Sequence, residues 1–188
     1  MKRISWLFGI IPLLFVFSAC GSNGSGMNTE IRQEGNTLTM EEIWRIEDTT
    51  DFVIALSQHI DEKCQYGDNM SALSEAERVF YITQTLEMEV NNGGFSQYFY
   101  NSSGDFANEL VHAFTEIGAA KTAEICKKAV SIYDGEVPAD RAAREEVFAD
   151  NEELEAILEE CDNGFYAYEE DLDTLNYEYV MRNREAFT

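Results

Sequence analysis

The chain has 188 residues, with 36 Asp plus Glu against 13 Lys plus Arg and a formal charge of -23. At 45% hydrophobic and 12% aromatic residues it is too apolar for a disordered acidic tail. Its charge repels phosphate backbones and excludes a basic groove for DNA or RNA, and two His and four Cys leave little for a zinc site or a disulfide framework.

Lys2 and Arg3 open the chain, and Ile4 to Phe17 form an apolar stretch broken by Ser5, Gly9 and Pro12. That run is shorter than the roughly 20 apolar residues of a membrane span and reads as an export leader. Phe17-Ser18-Ala19-Cys20, followed by Gly21-Ser22-Asn23-Gly24-Ser25-Gly26, resembles the lipobox of bacterial lipoproteins. The resemblance implies cleavage before Cys20 and a diacylglycerol on its sulfur. The organisation expected is a leader over 1–19, a lipid-anchored flexible linker over 20–38, and an acidic domain over 39–188. Its expected location is the bacterial cell envelope, on the extracytoplasmic side of a membrane. Cys64, Cys126 and Cys161 then remain, an odd number with no metal-knuckle spacing. Buried free thiols are the expected reading, and one disulfide among the three stays open in an exported compartment.

From Thr39 onward apolar residues recur at helical spacing. Met40, Ile43, Trp44 and Ile46 open a first helix, and Phe52, Val53, Leu56 and Ile60 stripe a second. Ser74-Glu75-Ala76-Glu77 has the form of a capping box. The helix it starts carries Val79, Ile82, Leu86 and Val90 on one face and is expected to stop at Asn92-Gly93-Gly94. Phe106, Leu110, Val111, Phe114 and Ile117 mark the next helix, ended by Gly118, and Ala119, Ala123, Cys126, Val130 and Tyr133 mark another. Val147, Phe148, Leu154, Ile157 and Leu158 supply the apolar positions of 141–160. Phe165, Tyr168, Leu172, Leu175 and Tyr179 alternate spacings of three and four, which predicts one apolar seam down a single helix. No stretch holds a period of two. The fold class expected is all-α, a single compact multi-helix domain behind a flexible N-terminal tether.

Residues 134–178 hold 17 Asp plus Glu against Arg141 and Arg144 alone. Glu152, Glu153, Glu155, Glu159 and Glu160 sit on neighbouring turns of one helix, with Glu169, Glu170 and Asp173 beyond. These eight are the candidate acidic face for a basic partner. Catalysis by paired carboxylates needs one acid desolvated, and no acid lies in an apolar run that would shift its pKa. His112 sits beside Val111 and Phe114, which suits a core or boundary position better than a base. Ser96 lacks a nucleophile-elbow context, and the stretch from Glu159 to Glu170 is a poor calcium loop, with Cys161 where an oxygen ligand is wanted. No catalytic residue, metal site or cofactor is expected.

Glu89-Val90-Asn91-Asn92-Gly93-Gly94-Phe95-Ser96-Gln97-Tyr98-Phe99, followed by Asn101-Ser102-Ser103-Gly104, resembles the DNA mimic protein family, small acidic helical bacterial proteins catalogued as a domain of unknown function. The resemblance runs over roughly 70–187. It implies a helical fold, often a homodimer, whose negative surface occupies the DNA-binding face of a regulator. Asn92, Gly93, Gly94, Phe95, Gln97, Tyr98 and Phe99 carry the motif and are expected to be structural: the glycines end a helix, and the aromatic rings pack as a short helical plug. An exported chain leaves the compartment of DNA-binding regulators. The expected function is therefore a non-enzymatic interaction module that meets a basic protein partner and makes no direct contact with nucleic acid. The alternatives are an immunity-type inhibitor of a secreted toxin and an envelope hydrolase with an unrecognised cleft.

Overall fold

Local signals set the helix ends. The Thr39 hydroxyl accepts from Glu42 N–H and the Glu42 carboxylate reaches back to Thr39 N–H, closing a capping box on α1 (Met40–Ile43). Asp48 caps α2 (Thr49–Lys63) through Asp51 N–H. Ser74 and Glu77 close the expected capping box on α3 (Glu75–Tyr100). The remaining helices are α4 (Leu110–Ile117), α5 (Ala120–Val130), α6 (Arg141–Phe148), α7 (Glu152–Tyr166) and α8 (Leu172–Arg182), with 3₁₀ turns at Met70–Ala72, Ser102–Glu109 and Arg184–Ala186. This computed structural model describes residues 37–148 and 150–188, and among them all regular structure is helical. Cys20 and most of the expected tether lie outside the described residues.

The core forms around α3. Phe80, Tyr81, Ile82 and Thr83 are four consecutive buried residues, and at 100° per residue they cover the whole circumference of the helix. α2, α4, α6, α7 and α8 all pack on it. The expected face of Val79, Ile82, Leu86 and Val90 is buried, as is the α2 stripe of Phe52, Val53, Leu56 and Ile60. Cys64, Cys126 and Cys161 are buried and unbridged.

Three sequence expectations are corrected. Phe106 lies in a 3₁₀ turn, and the α-helix begins only at Leu110. The seam from Phe165 to Tyr179 spans two helices. α7 ends at Tyr166, Tyr168 takes φ +42°, and Asp171 caps α8 by accepting from Thr174 N–H at 3.0 Å. Phe165, Leu172 and Tyr179 of the expected seam are buried on their two helices, but Tyr168, in the break between them, is exposed. His112 is exposed, on the outer side of α4.

Candidate functional site

The glycine motif is a joint inside α3. Gly93 and Gly94 both leave helical geometry after Asn92, and Gly94 takes φ +77° and ψ -179°, a positive-φ conformation that favours glycine. The chain restarts at Phe95, whose N–H donates to Asp162 Oδ1 of α7 at 2.7 Å. A side chain from another helix thus caps the second half of α3. Glu89 lies across the joint, 8% exposed. It accepts from Gln97 Nε2 at 2.7 Å, Asn101 Nδ2 at 2.9 Å and Ser103 Oγ at 2.8 Å, so neutral donors satisfy a buried carboxylate. Phe95, Tyr98 and Phe99 are buried, and the Phe95 ring meets Phe165 edge-on. Asn92 and Gly93 are exposed.

Beyond the joint, Arg144 of α6 is fully buried. Its guanidinium donates to the carbonyls of Phe99, Asn101, Pro138 and Ala139 and to Asp105 Oδ1. It thereby closes the C-terminal end of α3, whose last carbonyls have no partner within the helix. Gly104 lies so close that an added Cβ would stand 2.8 Å from Arg144 Nε.

The eight candidate acids divide by what they touch. Asn151 caps α7, and Glu152, Glu153, Glu155, Glu159 and Glu160 stand on its exposed side. Glu160 pairs with Lys128 at 2.6 Å. Among the described residues no cation pairs with Glu152, Glu153, Glu155 or Glu159. Glu169 pairs with Lys121 at 2.6 Å. Glu170 accepts from Lys121 N–H, Thr122 N–H and the Thr122 hydroxyl, so it caps α5. Burial pushes its carboxyl up, but those three donors together hold it below the ordinary carboxylate value. Asp173 accepts from Thr50 Oγ1 at 2.7 Å.

Neither arginine of the acidic segment pairs with these charges among the described residues. Arg144 is buried, and the Arg141 guanidinium stacks 3.9 Å from the Tyr100 ring centroid. The outward field of α7 is therefore set by its carboxylates.

A family model described as DMP19-like protein matches residues 71–183. The chain belongs to the DMP19-like protein family. The matched residues hold the joint, Arg144 and the acids of α7, while α1 and α2 lie outside them. The span agrees with the resemblance read over roughly 70–187. No curated protein and no solved structure matches the chain.

Two cavities flank this family domain's helices. One, of about 540 Å³, lies between α5 and the end of α7, lined by Lys121, Thr122, Ile125, Phe165, Tyr168 and Glu170. Its charged groups are committed: Lys121 to Glu169, and Glu170 to the α5 N-terminus. The other lies between α2, α3 and α8 and contains Asp61, Glu87 and Asp173. Here the expectation that no acid is desolvated is corrected. Burial pushes Asp61 up to about 6 and also raises Glu87 and Asp162. Asp61 follows Ile60 on a helix that reads as polar at that position, and its burial in the folded chain desolvates it. Among the described residues no group of His, Cys, Asp and Glu is arranged to hold a metal ion.

Asp61 carries a pH prediction. Its folded value lies above its ordinary value of 3.8, so between about pH 4 and 6 the folded chain binds the proton more tightly than the unfolded one. Stability from this group is present below that window and is lost as pH rises through it. Asp61→Asn is expected to raise Tm at pH 7 and to leave it unchanged near pH 3. Parallel Tm-against-pH curves for the two proteins would contradict the assignment.

Proposed function

We propose that this protein is a docking module whose α7 carboxylates bind the anion-binding face of a basic protein, held by a lipid on Cys20 outside the cytoplasm. The observation that carries the reading is the unneutralised run Glu152, Glu153, Glu155 and Glu159, with Arg144 buried and Arg141 stacked on the Tyr100 ring. At 1.5 Å per residue these four charges occupy about 10 Å of helix axis. One DNA strand places four phosphates over about the same axial length.

The helix dipole accounts for part of this pattern. Glu152, Glu153 and Glu155 lie in the first turn of α7, where negative charge is favoured. Glu159 lies beyond that turn, four residues from Glu155, where like charges destabilise by a few tenths of a kcal/mol. Helix stability alone therefore does not account for Glu159. The N-terminal Phe17-Ser18-Ala19-Cys20 pattern supports the anchored location, and family membership supports docking over turnover.

The test is capture on the immobilised full chain from the extracytoplasmic fraction. A basic protein is expected to be held at low salt, released at high salt and displaced by duplex DNA. The variant carrying Glu152→Gln, Glu153→Gln, Glu155→Gln and Glu159→Gln is expected to hold at least about tenfold less. Circular dichroism checks that this variant is folded. Capture of no basic protein at low salt, or equal capture by the variant, counts against the reading.

A further inference from the structure

The groove between α2, α3 and α8 is separate from the α7 face. It measures about 360 Å³, within the roughly 300–1,000 Å³ of ligand sites. Ile54 and Met88 stand on its rim, 48% and 61% exposed, and rank among the few large apolar side chains left open to solvent. Asp61, Glu87 and Asp173 bring carboxylates into it from three helices, and no Lys, Arg or His is among the described residues that line it. Its α2 wall lies outside the residues matched by the family model.

We infer that this groove is a docking site for an extended segment of a partner protein that inserts a lysine or arginine side chain. The choice of occupant follows from the lining. An anion would meet three carboxylates. A purely apolar side chain would desolvate Asp61 further without a countercharge, which is costly. A bare cation would leave Ile54 and Met88 open to water. A long cationic side chain meets both demands, with its methylene stem on Ile54 and Met88 and its charge against Asp61 and Glu87. Glu87 already accepts from the Tyr168 hydroxyl through Oε1, which leaves Oε2 for the cation. On the α3 side, Gln84 Nε2 is shielded from solvent and has no hydrogen-bond partner among the described residues. A turn of its amide offers that donor to a backbone carbonyl of the inserted segment.

The site goes beyond the α7 reading and does not rest on it. The test follows the Met88 methyl resonance of the full chain, labelled at methionine methyls, during titration with the blocked peptide Ala-Leu-Lys-Leu-Ala. A saturable shift at Met88 is expected. Binding is expected to weaken at least about tenfold when norleucine replaces the lysine, and likewise in the variant Asp61→Asn, Glu87→Gln. Asp61→Asn is itself expected to stabilise the fold, so lost binding is not lost structure. The four-glutamine α7 variant is expected to bind as the parent does. An unmoved Met88 methyl, equal binding of the norleucine peptide, or unchanged binding by the Asp61, Glu87 variant overturns the assignment. A Met88 shift driven by protein concentration alone also overturns it, since the occupant is then a second copy of the chain.

Discussion

Arg144→Met is expected to destabilise the fold by about 3 kcal/mol or more, because four backbone carbonyls lose a charged donor and each such hydrogen bond contributes about 1.5–3 kcal/mol. Methionine keeps the length and apolar volume of the arginine stem but supplies none of its donors. The carbonyls of Phe99, Asn101, Pro138 and Ala139 would each lose a charged partner at 2.9–3.0 Å. Two of them close the end of α3, and the other two belong to the chain entering α6. Asp105 is half exposed and can return to water, so the carbonyls account for most of the loss. With a urea m-value of about 1–3 kcal/mol/M, the midpoint should fall by at least about 1 M. Arg144→Lys retains the charge but cannot spread donors over five acceptors, so it is expected to recover only part of the loss. A change below about 1 kcal/mol for Arg144→Met would show that these carbonyls find other partners.

The second large effect is expected at Gly94. An alanine there would hold φ +77° and place its Cβ 2.4 Å from Asp162 Oδ2. The backbone strain is about 1–3 kcal/mol. Retreat of Asp162 would also break its bond to Phe95 N–H, a charged hydrogen bond contributing about 1.5–3 kcal/mol. Gly94→Ala should therefore destabilise by about 2.5–6 kcal/mol, and the effect should be smaller when Asp162→Ala is already present. Additive losses from the two substitutions, measured by urea unfolding, would place the strain in the backbone alone.

Features whose partners lie close in sequence were legible in the residues. Ser74 and Glu77 are three apart, and the Gly93-Gly94 break lies within one turn, so the capping box and the joint could be read directly. Features made by distant packing could not. Arg144 counts as a surface base until Phe99 and Asn101, 45 and 43 residues away, are seen to surround it. Asp61 occupies a polar position of an amphipathic helix until the fold buries it. The false seam from Phe165 to Tyr179 arises because the exposed Tyr168 in the break keeps the apolar spacing in sequence, while the Asp171 cap that signals the break is a single residue. The acid run of α7 could be read from spacing. Which acids are spent internally could not, because Lys121 and Lys128 reach Glu169 and Glu160 from a different helix.

The most direct measurement of the α7 proposal is the salt dependence of binding to the captured partner. For the parent chain, log Kd is expected to rise steeply with log salt, with the change lying mainly in the association rate. Glu152→Gln, Glu153→Gln, Glu155→Gln and Glu159→Gln together should flatten that slope and slow association at low salt by about tenfold or more. An unchanged slope in that variant would contradict the account, because binding would then be driven by charges elsewhere on the molecule.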